Sequence, residues 1–388
     1  MLLDLWSRAI ATTTAYYVRR AMRRSRSAPS LRSLAKRSIV VCKSGSMAAF
    51  RPYFREDEVI RIRDSEAFTS DQIVREHLNR ERVELYPVQV HEFESAYLVD
   101  GSVFLGRTAR IELRSSSERK GGLRRFSLLP ASPQTECTDA VLVAGVAGST
   151  WFGHWLEDEV PLQFLASAFG PPIAHVRTEY AHEGAYRELL KLDHPLRVGT
   201  AHIRHLRIVD EFAQNPSKAR RYWRIRSQLA RLKKGAGNRV FLNRGTTGAS
   251  RSLTNEAQLV ARFRAEGYAI VDIATSPLSE ILNVLIGASL VVGVEGSHLA
   301  HALYAIKDFG QLVILTPPQR AYTTVAEIAP FCRVHASMYI CIPESDGSFY
   351  ANIDELLAFI DEAAADSKKR RGSLELFTNF LRHYPSVY

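Results

Sequence analysis

From residue 239 to residue 317 the chain alternates short apolar runs with segments of helix length. RVFLNR (239–244), AIVDI (269–273), LVVGVEG (290–296) and QLVILTP (311–317) read as strands, and NEAQLVARFRAEGY (255–268), SPLSEILNVLIGAS (276–289) and SHLAHALYAI (297–306) as the helices between them. Strands this apolar belong inside a parallel sheet covered on both faces. Strand–helix alternation at this spacing predicts βαβ units and a doubly wound sheet. In such sheets ligands bind beyond the carboxyl ends of the strands. That rule selects Arg244 just past the first strand, and Arg251 in the loop GTTGASRS that follows. It also selects Glu295, Gly296 and Ser297 at the turn between LVVGV and the next helix, whose start offers backbone N–H groups to an anion. Two arginines and a Gly-Ser turn make a candidate diphosphate site. The competing reading is that both arginines are solvated loop charges.

The first half is less regular. Residues 83–150 carry short apolar alternations (VELYPVQVHEF, AYLVDGSVFL, ARIELRS), so strands dominate there. DAVLVAG (139–145) has the character of a buried parallel strand, and a helix follows over 152–169, stopped by GPP. From 212 to 255 there is no acid while 11 Lys/Arg accumulate, and 218–234 reads as a basic helix. At 388 residues the chain is long for a single core. A net charge of +10 suits anionic partners, from nucleic acid to phosphorylated small molecules. Cys42, Cys137, Cys332 and Cys341 form no paired motif, so neither zinc nor disulfides are expected. No apolar run approaches the ~20 residues of a membrane span. Residues 1–40 hold nine Lys/Arg against the single acid Asp4. They read as a basic arm, either a flexible tail or a peripheral hold on an anionic membrane.

GSTWFGHWLEDEVP (148–161) sets two tryptophans and a histidine beside three consecutive acids. On a helix, His154 and Asp158 are four apart and share a face. Trp151 and Trp155 then either line a wall on which a sugar ring stacks or belong to the core. The acids either serve chemistry or complement the helix dipole.

FGHWLEDEVP resembles the "HW…D-E-x-P" segment of glycosyltransferase family 61. RVFLNRGTTGASRSLTNEAQLV resembles the strand–Arg…Arg…Asn-Glu segment of that family, and AIVDIATSPLSEILNVLIGASLVVGVEGSHLAHALYA its final helix–strand–helix. The three segments occur in order over residues 140–315. Where the family usually carries histidine in G-x-H-G, this chain has Glu295.

The resemblance implies an α/β chain with a glycosyltransferase-B fold, two Rossmann-like domains facing across a cleft. It implies inversion at the anomeric carbon, a nucleotide-sugar donor (UDP-linked by expectation), no metal and no cofactor. Asp158 is the expected base with His154 as its partner or alternative, and Trp151 and Trp155 face the acceptor. Arg244, Arg251, Asn255, Glu256, Glu295, Gly296, Ser297 and His298 hold the donor, with Glu295 toward hydroxyls. The acceptor is expected to be a saccharide or glycoconjugate of a surface polysaccharide, and the protein cytoplasmic, peripheral on the membrane if the arm binds it. The expected divisions are an arm (1–45), an acceptor-side domain (46–215), a basic linker helix (216–238), a donor domain (239–370) and a tail helix (371–388). Two readings from other classes stand beside this one. A nucleic-acid binder would use the net charge, but only Tyr222 and Trp223 interleave the basic helix as stacking residues. A non-catalytic sugar-binding protein would keep the tryptophans and have no need of Asp158.

Overall fold

The computed structural model describes residues 31–65, 68–99, 102–105, 109–112, 134–211, 213–232, 235, 238–245 and 253–386. In chain order the strands of the first sheet and its neighbours are β1 (Arg37–Cys42), β2 (Gly45–Ala48), β3 (Arg82–Leu85), β4 (Val88–Val99), β5 (Ser102–Leu105), β6 (Ala109–Glu112), β7 (Thr135–Leu142), β8 (Pro172–His175), β9 (Leu196–Val198) and β10 (Thr200–Asp210). Those of the second sheet are β11 (Arg239–Asn243), β12 (Ala269–Asp272), β13 (Leu290–Val294), β14 (Gln311–Thr316) and β15 (His335–Ile340).

The second sheet is five-stranded and parallel throughout, in the order β12-β11-β13-β14-β15. Its strands are apolar on both faces because both faces are covered. Val240, Leu242, Val291, Leu312 and Ile314 pack into one core with the helices Leu278–Leu285, Ala300–Ala305 and Pro216–Leu229. Phe241, Val292, Val313 and Leu315 point the other way, against Leu259 and Phe263 of the helix Glu256–Ala265 and Leu356 and Phe359 of the helix Ile353–His383. From β11 the chain steps outward to β12, then returns past β11 to β13. The order therefore reverses between β11 and β13, and a crevice opens at their carboxyl ends.

The first sheet is mixed and eight-stranded, in the order β6-β5-β4-β10-β7-β8-β9 with β1 also on β4. β10, β7, β8 and β9 run parallel; β4 runs antiparallel to β10, β5 and β1. The α/β class expected from the sequence is present.

The expected divisions of the chain fit the fold less well. Residues 1–30 of the arm lie outside the described residues, but 37–42 of it form β1, whose Val41 and Cys42 are buried. Residues 45–85 sit against the second sheet rather than with the first. Tyr53 bridges to Ser337, Arg61 donates to the Ile340 carbonyl at 2.9 Å, and the buried Glu58 carboxylate accepts from the Ile340 N–H at 3.0 Å. Met47, Ile62, Ile73, Leu78 and Val83 join the same core as β11 and β13. The helix Pro216–Leu229 is no exposed linker, since Ala219, Tyr222, Ile225 and Leu229 are buried between the two halves.

The boundary expected at residue 371 falls inside one uninterrupted helix, Ile353–His383, because Leu374, Phe377 and Leu381 continue its buried stripe. Gly372 lies mid-helix with open space where a Cβ would stand. Gly372→Ala is therefore expected to stabilise the protein by about 0.5–1 kcal/mol through the lower entropy of its unfolded chain, checked by denaturant unfolding.

Candidate active site

After β7 a short helix, Val146–Thr150, leads into a second that starts at Phe152. This helix widens to a π-turn over Trp155–Glu159, where the Val160 N–H donates to the Trp155 carbonyl, and then continues as Val160–Ala166. Pro161 has no N–H, so the carbonyls one turn before it lose their helical partner. Tyr304 donates its hydroxyl to the Leu156 carbonyl and Tyr222 donates its own to the Glu157 carbonyl, each at 2.9 Å. Those two tyrosines stand on helices of the second half. The wide turn is thus held from across the molecule, in a geometry often found at functional sites.

The turn brings His154 and Asp158 together as the spacing predicts, with Nδ1 2.7 Å from Oδ2. Asp158 also receives a short ion pair from the ammonium of Lys218, whose side chain is 0% exposed. Burial pushes the Asp158 carboxyl up, but the Lys218 charge and the bonds from His154 and Lys218 outweigh it and hold the group below its ordinary value. For His154 burial works downward and the Asp158 bond upward, and the bond prevails. Glu157 has no such partner. Its Oε1 is buried without a hydrogen bond, and burial pushes its carboxyl up to about 8, with Asp158 and Glu295 among the charges it feels. Glu159, also raised to about 8 by burial, accepts the Gly145 N–H at 2.7 Å and so ties the helix to the preceding turn.

The second component lies at the crevice between β11 and β13. Arg244 follows β11 and is buried. Gly296 follows β13 with φ +155°, which a side chain would strain. A Cβ at Gly296 would come 3.2 Å from His298 Nδ1 and 3.4 Å from Arg244 Nη1, so the arginine, the glycine turn and His298 are gathered at one point. Glu295 is buried beside them in the chain, its N–H held by the Leu315 carbonyl. The two components meet at Gly153, where a Cβ would stand 3.1 Å from Ser297 Oγ and 3.2 Å from Ser297 Cα. A side chain at Gly153 would press on Ser297, which would have to give by a few tenths of an ångström.

Residues 152–312 match the family model Glycosyltransferase 61. The match covers 161 of the chain's 388 residues and supports glycosyltransferase family 61. That segment supports a glycosyltransferase. The matched segment runs from the helix of His154 and Asp158 to the second residue of β14 and includes Lys218, Arg244 and Glu295. No curated protein matches the chain closely enough to be named as a relative.

Other residues singled out from the sequence fall differently in the structure. Arg251 lies outside the described residues. Trp155 is 0% exposed and packs against Tyr180, Tyr186 and the Arg187 guanidinium, so it is core rather than acceptor wall. Trp151, 40% exposed with its ring 5.9 Å from the His154 ring, remains available for that role. Asn255 spends both ends of its amide on the Ala351 backbone, at 2.7 and 3.1 Å, and so clamps two segments together. Glu256 is near enough to Arg244 to feel its charge; burial and Asp272 nevertheless raise its carboxyl above the ordinary value. His301, on the helix that follows His298, is wholly buried with Nδ1 2.8 Å from the Tyr186 hydroxyl and so belongs to the packing rather than to the site. Among the described residues no three His, Cys, Asp or Glu side chains converge as metal ligands, and no helix is long and apolar enough to cross a membrane.

The sequence reading missed Lys218, which stood out only as one of many basic residues. It also missed the burial of Glu157. Because the folded carboxyl of Glu157 binds a proton up to about pH 8 and the unfolded one only to about 4.5, the native state holds the extra proton between those values. Its contribution to stability is therefore full below about pH 4.5 and lost as pH rises toward 8. Glu157→Gln removes this dependence. The melting temperature of the variant relative to wild type is expected to rise steadily from pH 5 to pH 8.5, measured by scanning calorimetry in constant salt.

Proposed function

We propose that this glycosyltransferase moves a sugar from a nucleotide-sugar donor to a saccharide or glycoconjugate hydroxyl with inversion at the anomeric carbon. In this reading the two sheets are the two lobes of a glycosyltransferase-B arrangement and the site lies between them. One observation carries it: Arg244 and the Gly296–His298 turn meet at the carboxyl ends of β11 and β13, directly against the helix that holds His154 and Asp158. The switch point of a parallel sheet is where nucleotides bind, and Arg244 supplies charge for a diphosphate. Opposite it, the His154–Asp158 pair can accept the proton of an acceptor hydroxyl as that oxygen attacks the sugar.

Inversion follows from attack on the face away from the diphosphate, which needs a single displacement and no enzyme nucleophile. Glu295, a carboxylate where the family usually has histidine, suits sugar or ribose hydroxyls better than phosphate. UDP is the first nucleotide to test, and the chain's charge of +10 favours an anionic ligand of this kind.

The test is a thermal-shift screen of the full chain against UDP, GDP, CDP and dTDP sugars, with a single-stranded oligonucleotide as control. A bound donor raises the melting temperature by mass action. One nucleotide-sugar class should do so and retain its effect at raised salt, whereas oligonucleotide binding should fade steeply with salt. No stabilisation by any nucleotide sugar would end the donor reading. Stabilisation without transfer to any saccharide acceptor would leave a sugar-binding protein.

A further inference from the structure

The last turns of the helix Ile353–His383 carry two large apolar side chains that the described residues leave uncovered. Leu376 is 71% exposed, and Phe380, one turn on, is 42% exposed. Residues three, four or seven apart share a helix face. Lys369, Gly372, Ser373, Leu376, Phe380 and His383 therefore form one exposed stripe, about 21 Å long. The opposite stripe is buried. Leu374, Phe377 and Leu381 pack into the core, and Phe377 meets the Phe331 ring edge-on at 5.3 Å. The apolar pair thus belongs to a second face of a helix that is already fixed on the fold.

The charges around the pair are of one sign. From Ser367 to Tyr388 the sequence has five Lys/Arg (368–371 and 382) against one acid, Glu375. That acid is already engaged, since its carboxylate accepts from Arg371 Nε at 3.1 Å. The neighbouring helix Pro216–Leu229 adds Arg220, which donates to the Leu381 carbonyl at 3.3 Å and to the Tyr384 carbonyl. Charge decides between the candidate occupants. Residues 1–40 hold enough apolar side chains to cover the pair, but their nine Lys/Arg would be brought against more Lys/Arg. A second copy of the chain carries the same net charge of +10. An anionic bilayer complements both features at once. Its acyl boundary takes Leu376 and Phe380, and its phosphates take the lysines and arginines, whose stems lie along apolar surface while their heads reach the polar layer.

We propose that the stripe from Lys369 to His383 is a docking face that lays the end of this helix in the headgroup layer of an anionic bilayer. A helix so placed buries its apolar side chains at the boundary between headgroups and acyl chains and keeps its cations among the phosphates. The N-terminal basic residues supply a second signal beside it. β1 ends at Cys42, which bridges to Ser386, and its start at Arg37 is about 17 Å away. Residues before β1 therefore join the fold close to the end of the docking helix. The active site is close as well. Arg220, on the last carbonyls of that helix, and Lys218, on Asp158, both stand in the first turns of Pro216–Leu229. One helix thus reaches from the docking face to the His154–Asp158 pair.

The test is co-sedimentation of the full-length protein with vesicles of phosphatidylcholine alone and of phosphatidylcholine and phosphatidylglycerol in equal parts. The wild type is expected to bind the anionic vesicles in preference to the neutral ones and to be released as salt is raised. Leu376→Ser combined with Phe380→Ser is expected to weaken that binding by at least about tenfold, because both side chains lose their burial in the bilayer. Its melting temperature should stay close to wild type, since neither side chain belongs to the core. Leu376→Ser alone is the second variant, because Phe380 also lies 5.5 Å from the Tyr384 ring. Unchanged affinity in a folded serine variant would overturn the docking face, even if the wild type binds vesicles through residues 1–30. So would a wild type that ignores anionic vesicles, or one that binds neutral vesicles equally well. Sedimentation without lipid covers the remaining occupant: a dimer that the serine variant dissolves would assign the face to a second copy and overturn the proposal.

Discussion

His154→Gln is expected to lower turnover by about 10²–10⁴-fold, the usual worth of general base catalysis, while leaving the melting temperature close to wild type. The reason lies in what it keeps. Gln removes the imidazole but leaves the Lys218–Asp158 pair intact, so no buried charge loses its partner. Asp158→Asn has no such restraint. It removes the Asp158 charge from the buried Lys218 ammonium, and removing one partner of a buried pair typically costs about 3–5 kcal/mol. Turnover and denaturant unfolding on both variants decide the matter, since two variants equally stable and equally inactive would contradict the pairing with Lys218. The pH profile gives a further check. The Asp158 bond raises the proton affinity of His154 above its ordinary value, so kcat/KM should climb with pH through an acid limb lying above about 6.5 and reporting the free enzyme.

Arg244→Ala is the second large effect. A hydrogen bond to a charged group is worth about 1.5–3 kcal/mol, so UDP affinity should fall roughly 10- to 150-fold by calorimetry. The turnover of bound donor should suffer less, because Arg244 stands at the β11 end of the site and not on the helix of His154. The buried guanidinium adjoins Gly296 and His298, so Arg244→Lys is not a neutral exchange: an ammonium cannot reproduce the planar, two-pronged donor. Unchanged UDP affinity in Arg244→Ala would remove the diphosphate role.

Much of the second sheet was legible because its signal is local. The strands from β11 to β14 are apolar on both faces and each is bounded by a helix with its own period, so alternation alone set their order along the chain. The His154–Asp158 contact was legible for the same reason, as a four-residue spacing on one helix. Lys218 was not, because what singles it out is a partner 60 residues away, and its helix is crowded with arginines that look alike in sequence. Trp155 was misplaced because a tryptophan beside a candidate base fits a pocket and a core equally well. The packing that decides between them comes from Tyr180, Tyr186 and Arg187. The continuity of Ile353–His383 was hidden by the basic run Lys368–Arg371 and by Gly372, which read as a break; yet Lys368, Lys369 and Gly372 are exposed, and Arg370 and Arg371 lie over the rings of Phe50 and Phe309.

The seating of residues 45–85 on the second sheet bears on how the protein is made. The Arg61–Ile340 and Glu58–Ile340 bonds join residues 279 and 282 positions apart. At about 5–20 residues per second of synthesis, the early segment waits roughly 15–60 s for β15 to appear. Throughout that interval Met47, Ile62, Ile73, Leu78 and Val83 have no finished core to enter. A nascent chain of this kind presents apolar surface to chaperones and to other ribosome-bound copies. Slower translation downstream of β10 should therefore lower the soluble yield of the full chain, even though it leaves the finished protein unchanged.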